Sequence, residues 1–211
     1  MAKETEQSAK SEGLRSLKFF PATASRWDDL ETLFGERGAC GGCWCMFWRV
    51  PRKQFDAGKG AKNKTAFEKL IAEGRRPPGV LAYVDNKPVG WCAVAPREHY
   101  IGLKTSRLLK PVDEKPVWCV SCLFIERTHR RQGISAKLLR AAIEFAARQG
   151  AKIIEGYPVE PSSEKVPDPF LWHGILSAFK AAGFKEVLRR SMTRPIMRFE
   201  IGRKEKTQNP V

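Results

Sequence analysis

Trp27, Leu30, Leu33 and Phe34 fall on one face of a helix predicted to run from Arg26 to Glu36. Ser25 stands where it can cap that helix, and Asp28 and Asp29 suit the positive end of its dipole. Before it, Leu17-Lys18-Phe19-Phe20 is short, half apolar and stopped by Pro21, which predicts a first strand. After it, Gly35, Gly38, Gly41 and Gly42 open a loop that carries a Cys-Trp-Cys segment. Residues 53–64 are basic and glycine-containing and are expected to form a mobile connection. From Thr65 to Glu73 helical spacing returns, with Phe67, Leu70 and Ile71 inward and Gly74 and Pro77-Pro78 as its end.

The period then changes. Residues 80–84 and 89–94 are apolar runs flanking Asp85-Asn86-Lys87-Pro88, which predicts a β-hairpin. Residues 117–125 are almost continuously apolar, as in a central strand covered on both faces. Ile134, Leu138, Leu139, Ala142, Ile143, Phe145 and Ala146 trace a helix that ends at Gly150. A strand at 152–157, a helix at 171–182 and a strand pair at 184–190 and 192–201 complete the chain. Hairpin strands first and a strand–helix–strand unit later predict an α/β mixed sheet with helices on its faces. One domain is expected over 17–202, between flexible tails at 1–16 and 203–211.

Composition narrows the class. The chain has 211 residues, 42% apolar and 29% charged, as in a globular protein. No apolar run approaches the roughly 20 residues that span a bilayer, and Met1 to Ser16 lacks the apolar stretch of a secretory signal. A cytoplasmic location is therefore expected, with the cysteines at 40, 43, 45, 92, 119 and 122 as free thiols or metal ligands. The net charge of +15 attracts polyanions, phosphate-rich cofactors and nucleic acids alike. No helix-turn-helix or finger spacing accompanies it, so nucleic acid is not the expected partner.

The sequence Thr128-His129-Arg130-Arg131-Gln132-Gly133 joins the central strand to its helix. The first helical N–H groups have no carbonyl partner and the dipole is positive there, so such a turn suits an anion. Gly133 permits close approach and a positive φ, and two arginines add charge. An ordinary strand-to-helix turn with basic decoration reads equally well on local physics. A P-loop or a G-x-G-x-x-G fingerprint is absent.

Arg130-Arg131-Gln132-Gly133-Ile134-Ser135 resembles motif A of the GNAT superfamily of acetyltransferases, Gln/Arg-x-x-Gly-x-Gly/Ala. Phe179-Lys180-Ala181-Ala182-Gly183-Phe184 resembles the ending of its motif B, Leu-Tyr-x-x-x-Gly-Phe. The likeness covers roughly 17–201 and is strongest over 117–184. It implies a mostly antiparallel central sheet with helices on both faces, and acetyl-CoA as acyl donor. The backbone of Gln132, Gly133, Ile134, Ser135 and Ala136 would bind pyrophosphate, with Arg130 and Arg131 nearby. Leu123, Phe124 and Ile125 would pair with pantetheine where the central strand and its successor splay apart, exposing amides that polarise the thioester carbonyl. Ser135 replaces the usual small residue and Arg127 a common proline. Phe179 stands where the family commonly has a tyrosine that protonates the leaving thiolate, and phenylalanine has no proton to give.

The customary acid must then be replaced. Glu155 and Tyr157 share a face of their strand by alternation, and Tyr157 is expected to supply the hydroxyl. Glu155 reads equally as a buried, salt-bridged carboxylate. Glu126, Glu160, Asp168 and His173 are further candidates, with His173 expected as a surface residue near a helix start. Cys40-x-x-Cys43 with Cys119-x-x-Cys122 resembles a four-thiolate zinc set. Residues three apart in a strand point to opposite faces, so no metal is expected. In GNAT folds the segment after the first helix roofs the acceptor pocket, which implies Trp44, Phe47 and Trp48 as an aromatic wall with Cys43 and Cys45 beside it. Core packing is the competing reading for each tryptophan. The expected partner is a small-molecule or peptide amine, with no membrane and a homodimer admissible. A non-catalytic acyl-CoA sensor is the alternative from another class.

Overall fold

The computed structural model describes residues 16–161, 167 and 170–202; the tails expected at either end, and Asp168, lie outside the described residues. Seven strands form one sheet: β1 (Lys18–Pro21), β2 (Gly79–Val84), β3 (Lys87–Pro96), β4 (Trp118–Ile125), β5 (Ile153–Gly156), β6 (Lys185–Arg189) and β7 (Pro195–Glu200). Their spatial order is β1-β2-β3-β4-β5-β7-β6. Neighbours are antiparallel except β4 and β5, which run parallel because helix α4 (Ile134–Arg148) crosses between them. Asp85 and Asn86 turn β2 into β3 with φ of 50° and 60°, the double positive φ of a tight hairpin.

Each face of the sheet has its own core. Leu138, Leu139 and Ala142 of α4 and Phe179 of α5 (Leu176–Ala181) pack on Val80, Val94, Val120 and Ile154. On the other face α1 (Trp27–Phe34), α3 (Ala61–Glu73) and the cysteine loop bring Leu30, Phe34, Phe67 and Trp44 onto Leu81 and Trp91. This is the expected mixed, mostly antiparallel sheet with helices on both faces.

Local expectations differ in three places. Residues 53–64 contain α2 (Arg52–Gly58), and α3 begins at Ala61. Their basic composition hides one inward aromatic side chain, Phe55, which is buried against Phe47 with ring centroids 5.2 Å apart. Asn63 ties α3 back by donating to the carbonyls of Gly42 and Phe55, each at 3.3 Å. Ser25 lies inside a short 3-10 turn, Ala24–Arg26, and does not cap α1. The helix expected from Leu171 starts only at Leu176, because the preceding backbone is bonded to strand residues instead.

Candidate active site

β4 carries one residue more than β3 can pair. Ala93 faces Cys122 and Val94 faces Val120, so Ser121 is a bulge. β5 pairs only with Trp118, Cys119 and Val120 and leaves β4 at that bulge, creating a fork. The bulge also inverts the alternation expected of the strand. Cys119 packs with Ala95 and Tyr100, and Cys122 with Trp91 and Ala93, on one face of the sheet. The sequence argument from opposite faces is thereby corrected. Among the described residues no group of three or more His, Cys, Asp or Glu is placed to hold a metal.

Leu123, Phe124 and Ile125 form the free arm of the fork. The Leu123 N–H donates to the carbonyl of Trp172 at 2.7 Å, and Arg130 Nε donates to the Ile125 carbonyl at 2.9 Å. The Val159 N–H donates to Gly174 O at 2.8 Å and the Leu176 N–H to Val159 O at 2.9 Å, so residues 172–176 lie between the arms like a short strand. Phe179 is fully buried and seals the base. A Cβ on Gly156 would sit 2.1 Å from its ring and one on Gly174 3.0 Å away, so both glycines are needed for this packing.

Beyond β4, Glu126 closes a turn by accepting from the Thr128 N–H at 2.9 Å and bonding His129 Nδ1 at 2.8 Å. This occupies Glu126 structurally. Gly133 is the residue before α4 and adopts the left-handed conformation, φ 75°, with nothing within 4 Å of where a Cβ would be. No side chain caps α4 and its first turn contains no acidic residue. The amides of Ile134, Ser135 and Ala136 therefore begin a helix of 15 residues that lacks a side-chain cap, with exposed Arg131 beside them. These groups fit a pyrophosphate.

The roof separates the aromatic candidates. Trp44 is 3% exposed and stacks on Trp27 inside the core, supporting the loop from beneath. Cys43 donates its thiol to Gly38 O at 3.4 Å, and burial pushes that thiol up to about 11. Trp48, in contrast, reaches the fork: its ring lies 6.2 Å from Trp172 and 5.9 Å from His173. His173 was expected at the surface but is 2% exposed and stacked on Trp172 at 3.8 Å. Burial holds it neutral, down to about 3. Among the described residues, Trp48 Nε1, Arg49 Nε and His173 Nδ1 are buried without hydrogen-bond partners. No spacing in the sequence marks them; the unpaired atoms become visible only once the segments meet.

Glu155 and Tyr157 are adjacent, as alternation required, and both are fully buried. The Tyr157 hydroxyl donates to Glu155 Oε1 at 2.7 Å and lies 3.1 Å from Cys119 Sγ. Arg198 Nε donates to Glu155 Oε2 at 2.8 Å and pairs onward with Asp113, while Arg97 bonds both Tyr157 and Glu155. Burial, then the neighbouring Cys119 and Glu155, raises the phenol well above its ordinary range. Glu160 is held by Arg189.

The fold has counterparts among known proteins. Over residues 44–164 the sequence matches the family model described as acetyltransferase (GNAT) family. No curated protein matches the sequence significantly. Among solved structures, AAC(6')-Ib in complex with ribostamycin and coenzyme A is 14% identical, covering 93% of this chain and 99% of that one, TM-score 0.52. A GNAT-family acetyltransferase from Listeria monocytogenes is 9% identical over 88% and 95% of the chains, TM-score 0.52. An acetyltransferase from Corynebacterium glutamicum is 19% identical over 87% and 95%, TM-score 0.50. At these identities the structures establish a shared fold. Together with the family match, they show that this chain belongs to the GNAT acetyltransferase family.

Proposed function

We propose that the protein transfers an acetyl group from acetyl-CoA to an amine by direct attack within a ternary complex. The observation that carries this reading is the parting of β4 from β5 at Ser121, with the Gly133 turn at the end of the same strand. The Gly133–Ala136 backbone holds the pyrophosphate, and the Leu123 amide, once released by Trp172, points at the thioester carbonyl. Acetyl-CoA supplies the activated acyl carbon. The neutral amine nitrogen bonds to that carbon, the carbon–sulfur bond breaks, the nitrogen gives up one proton to solvent, and the departing thiolate takes one.

Phe179 gives no proton, so we assign the acid to Tyr157, with Glu155 and Arg97 positioning its hydroxyl. Trp48 walls the acceptor side, with Trp44 and Cys43 behind it. We place the enzyme in the cytoplasm, a reducing compartment in which its six free cysteines stay thiols. Thiol release from acetyl-CoA with a panel of amines tests the reading. Turnover on some amine supports it; binding without thiol release on every acceptor would replace it with an acyl-CoA sensor. Phe179 and the Leu123–Trp172 bond favour that second reading.

A further inference from the structure

Two arginines are buried in the described protein, and they are treated differently. Arg198 is neutralised by Glu155 and Asp113. Arg49, 9% exposed, makes no ion pair among the described residues. Its guanidinium lies 4.6 Å from the Tyr100 ring centroid, and its Nη2 donates to Tyr100 Oη at 3.2 Å and Pro78 O at 3.4 Å. Its Nε has no partner. The Cys45 thiol is not held as a counterion chiefly by Arg49: Cys122, first, and Trp91 lower its pKa against the opposing effect of burial, and Arg49 contributes least. A guanidinium removed from water without a carboxylate is costly unless an anion completes it.

Arg49 lines an open cleft of about 490 Å³ between the roof and α3. Met46 and Ala66 give it apolar wall, and Lys69 and His99 add basic groups. Its one carboxylate, Glu73, lies 3.8 Å from Lys69. Desolvation, then the charge of Arg49, keeps His99 below its ordinary range. The cleft and the fork share a wall. Tyr100 is hydrogen-bonded to Arg49 and packs in one cluster with Cys119 of β4, and Trp48 beside Arg49 lies 5.9 Å from His173.

We propose that this cleft binds an anionic group, carboxylate or phosphate, carried by the amine acceptor, with Arg49 as the binding residue. The acceptor part rests on the acetyltransferase reading; the anion site does not. Calorimetric titrations with succinate and with inorganic phosphate, at low salt and after saturation with coenzyme A, test it. Saturation keeps phosphate off the α4 turn, and its own isotherm reports separately whether coenzyme A binds. One-to-one binding of either anion, weakened at least tenfold in Arg49→Met, is expected, and the stronger anion identifies the group. Ala66→Glu, which puts a carboxylate into the wall without touching Arg49, should weaken it too and serves if Arg49→Met does not fold. No stoichiometric binding of either anion, or binding unchanged in the folded variants, would overturn the site. If the anion binds but acidic amines are turned over no better than neutral ones, the acceptor assignment falls and the site stands.

Discussion

The Leu123 amide donates to the Trp172 carbonyl across 2.7 Å, so the chain's own backbone occupies the edge that β5 leaves free. On the proposed donor site, pantetheine and Trp172 compete for one hydrogen bond. Adding coenzyme A should therefore speed amide hydrogen exchange in peptides covering 170–176 while slowing it over 123–136. Slowing in both regions would show that the segment stays in place and that the donor enters elsewhere.

Replacing Gly133 by alanine should weaken coenzyme A binding and cost about 1 kcal/mol of stability. The added methyl meets nothing, so the cost comes from the positive φ and not from a clash. A binding isotherm and a urea titration read the two effects; unchanged affinity would remove the turn from the donor site.

Tyr157→Phe should reduce kcat by on the order of 10² or more, with modest change in KM. The variant also leaves Glu155 one donor short, at a cost of about 1 kcal/mol. A full-rate, slightly destabilised variant would make Tyr157 purely structural.

Glu155→Ala should be the most destabilising of these changes, on the order of 3–5 kcal/mol, because it leaves buried Arg198 and Arg97 without their shared carboxylate. Equilibrium unfolding measures it. A loss below about 1 kcal/mol would mean that Asp113 and solvent satisfy the arginines unaided.

His173 is held neutral by burial down to about 3, from an ordinary 6.5. Between these values the unfolded chain binds the proton that the folded one refuses. Its contribution is complete above roughly pH 6.5 and is lost as pH falls, at up to about 1.4 kcal/mol per unit. Acid should thus loosen the 172–174 segment first. His173→Gln should flatten the slope of stability between pH 6.5 and 4, and an unchanged slope would refute the assignment.

The strands, the hairpin and α4 were legible because their apolar periods are strong and their turns carry Asp-Asn or Gly. The α4 turn was legible from Arg130 and Gly133 and from the motif likeness. α2 was not, since one buried aromatic side chain, Phe55, does not make a period. The aromatic wall was half legible: composition cannot tell Trp44, under the loop, from Trp48, against the fork. Nothing in the order of residues marks Arg49 or His173, because their significance lies in partners they lack after distant segments meet.

Ser121 decides more than a local kink. Were Ser121 to pair with Ala93 in strict register, every side chain beyond it would turn to the opposite face. Leu123 and Ile125 would leave the α4 core, Cys119 and Cys122 would point apart, and β5 could continue zipping along its neighbour. The socket would close into an ordinary sheet, so the fork depends on a single miscounted rung.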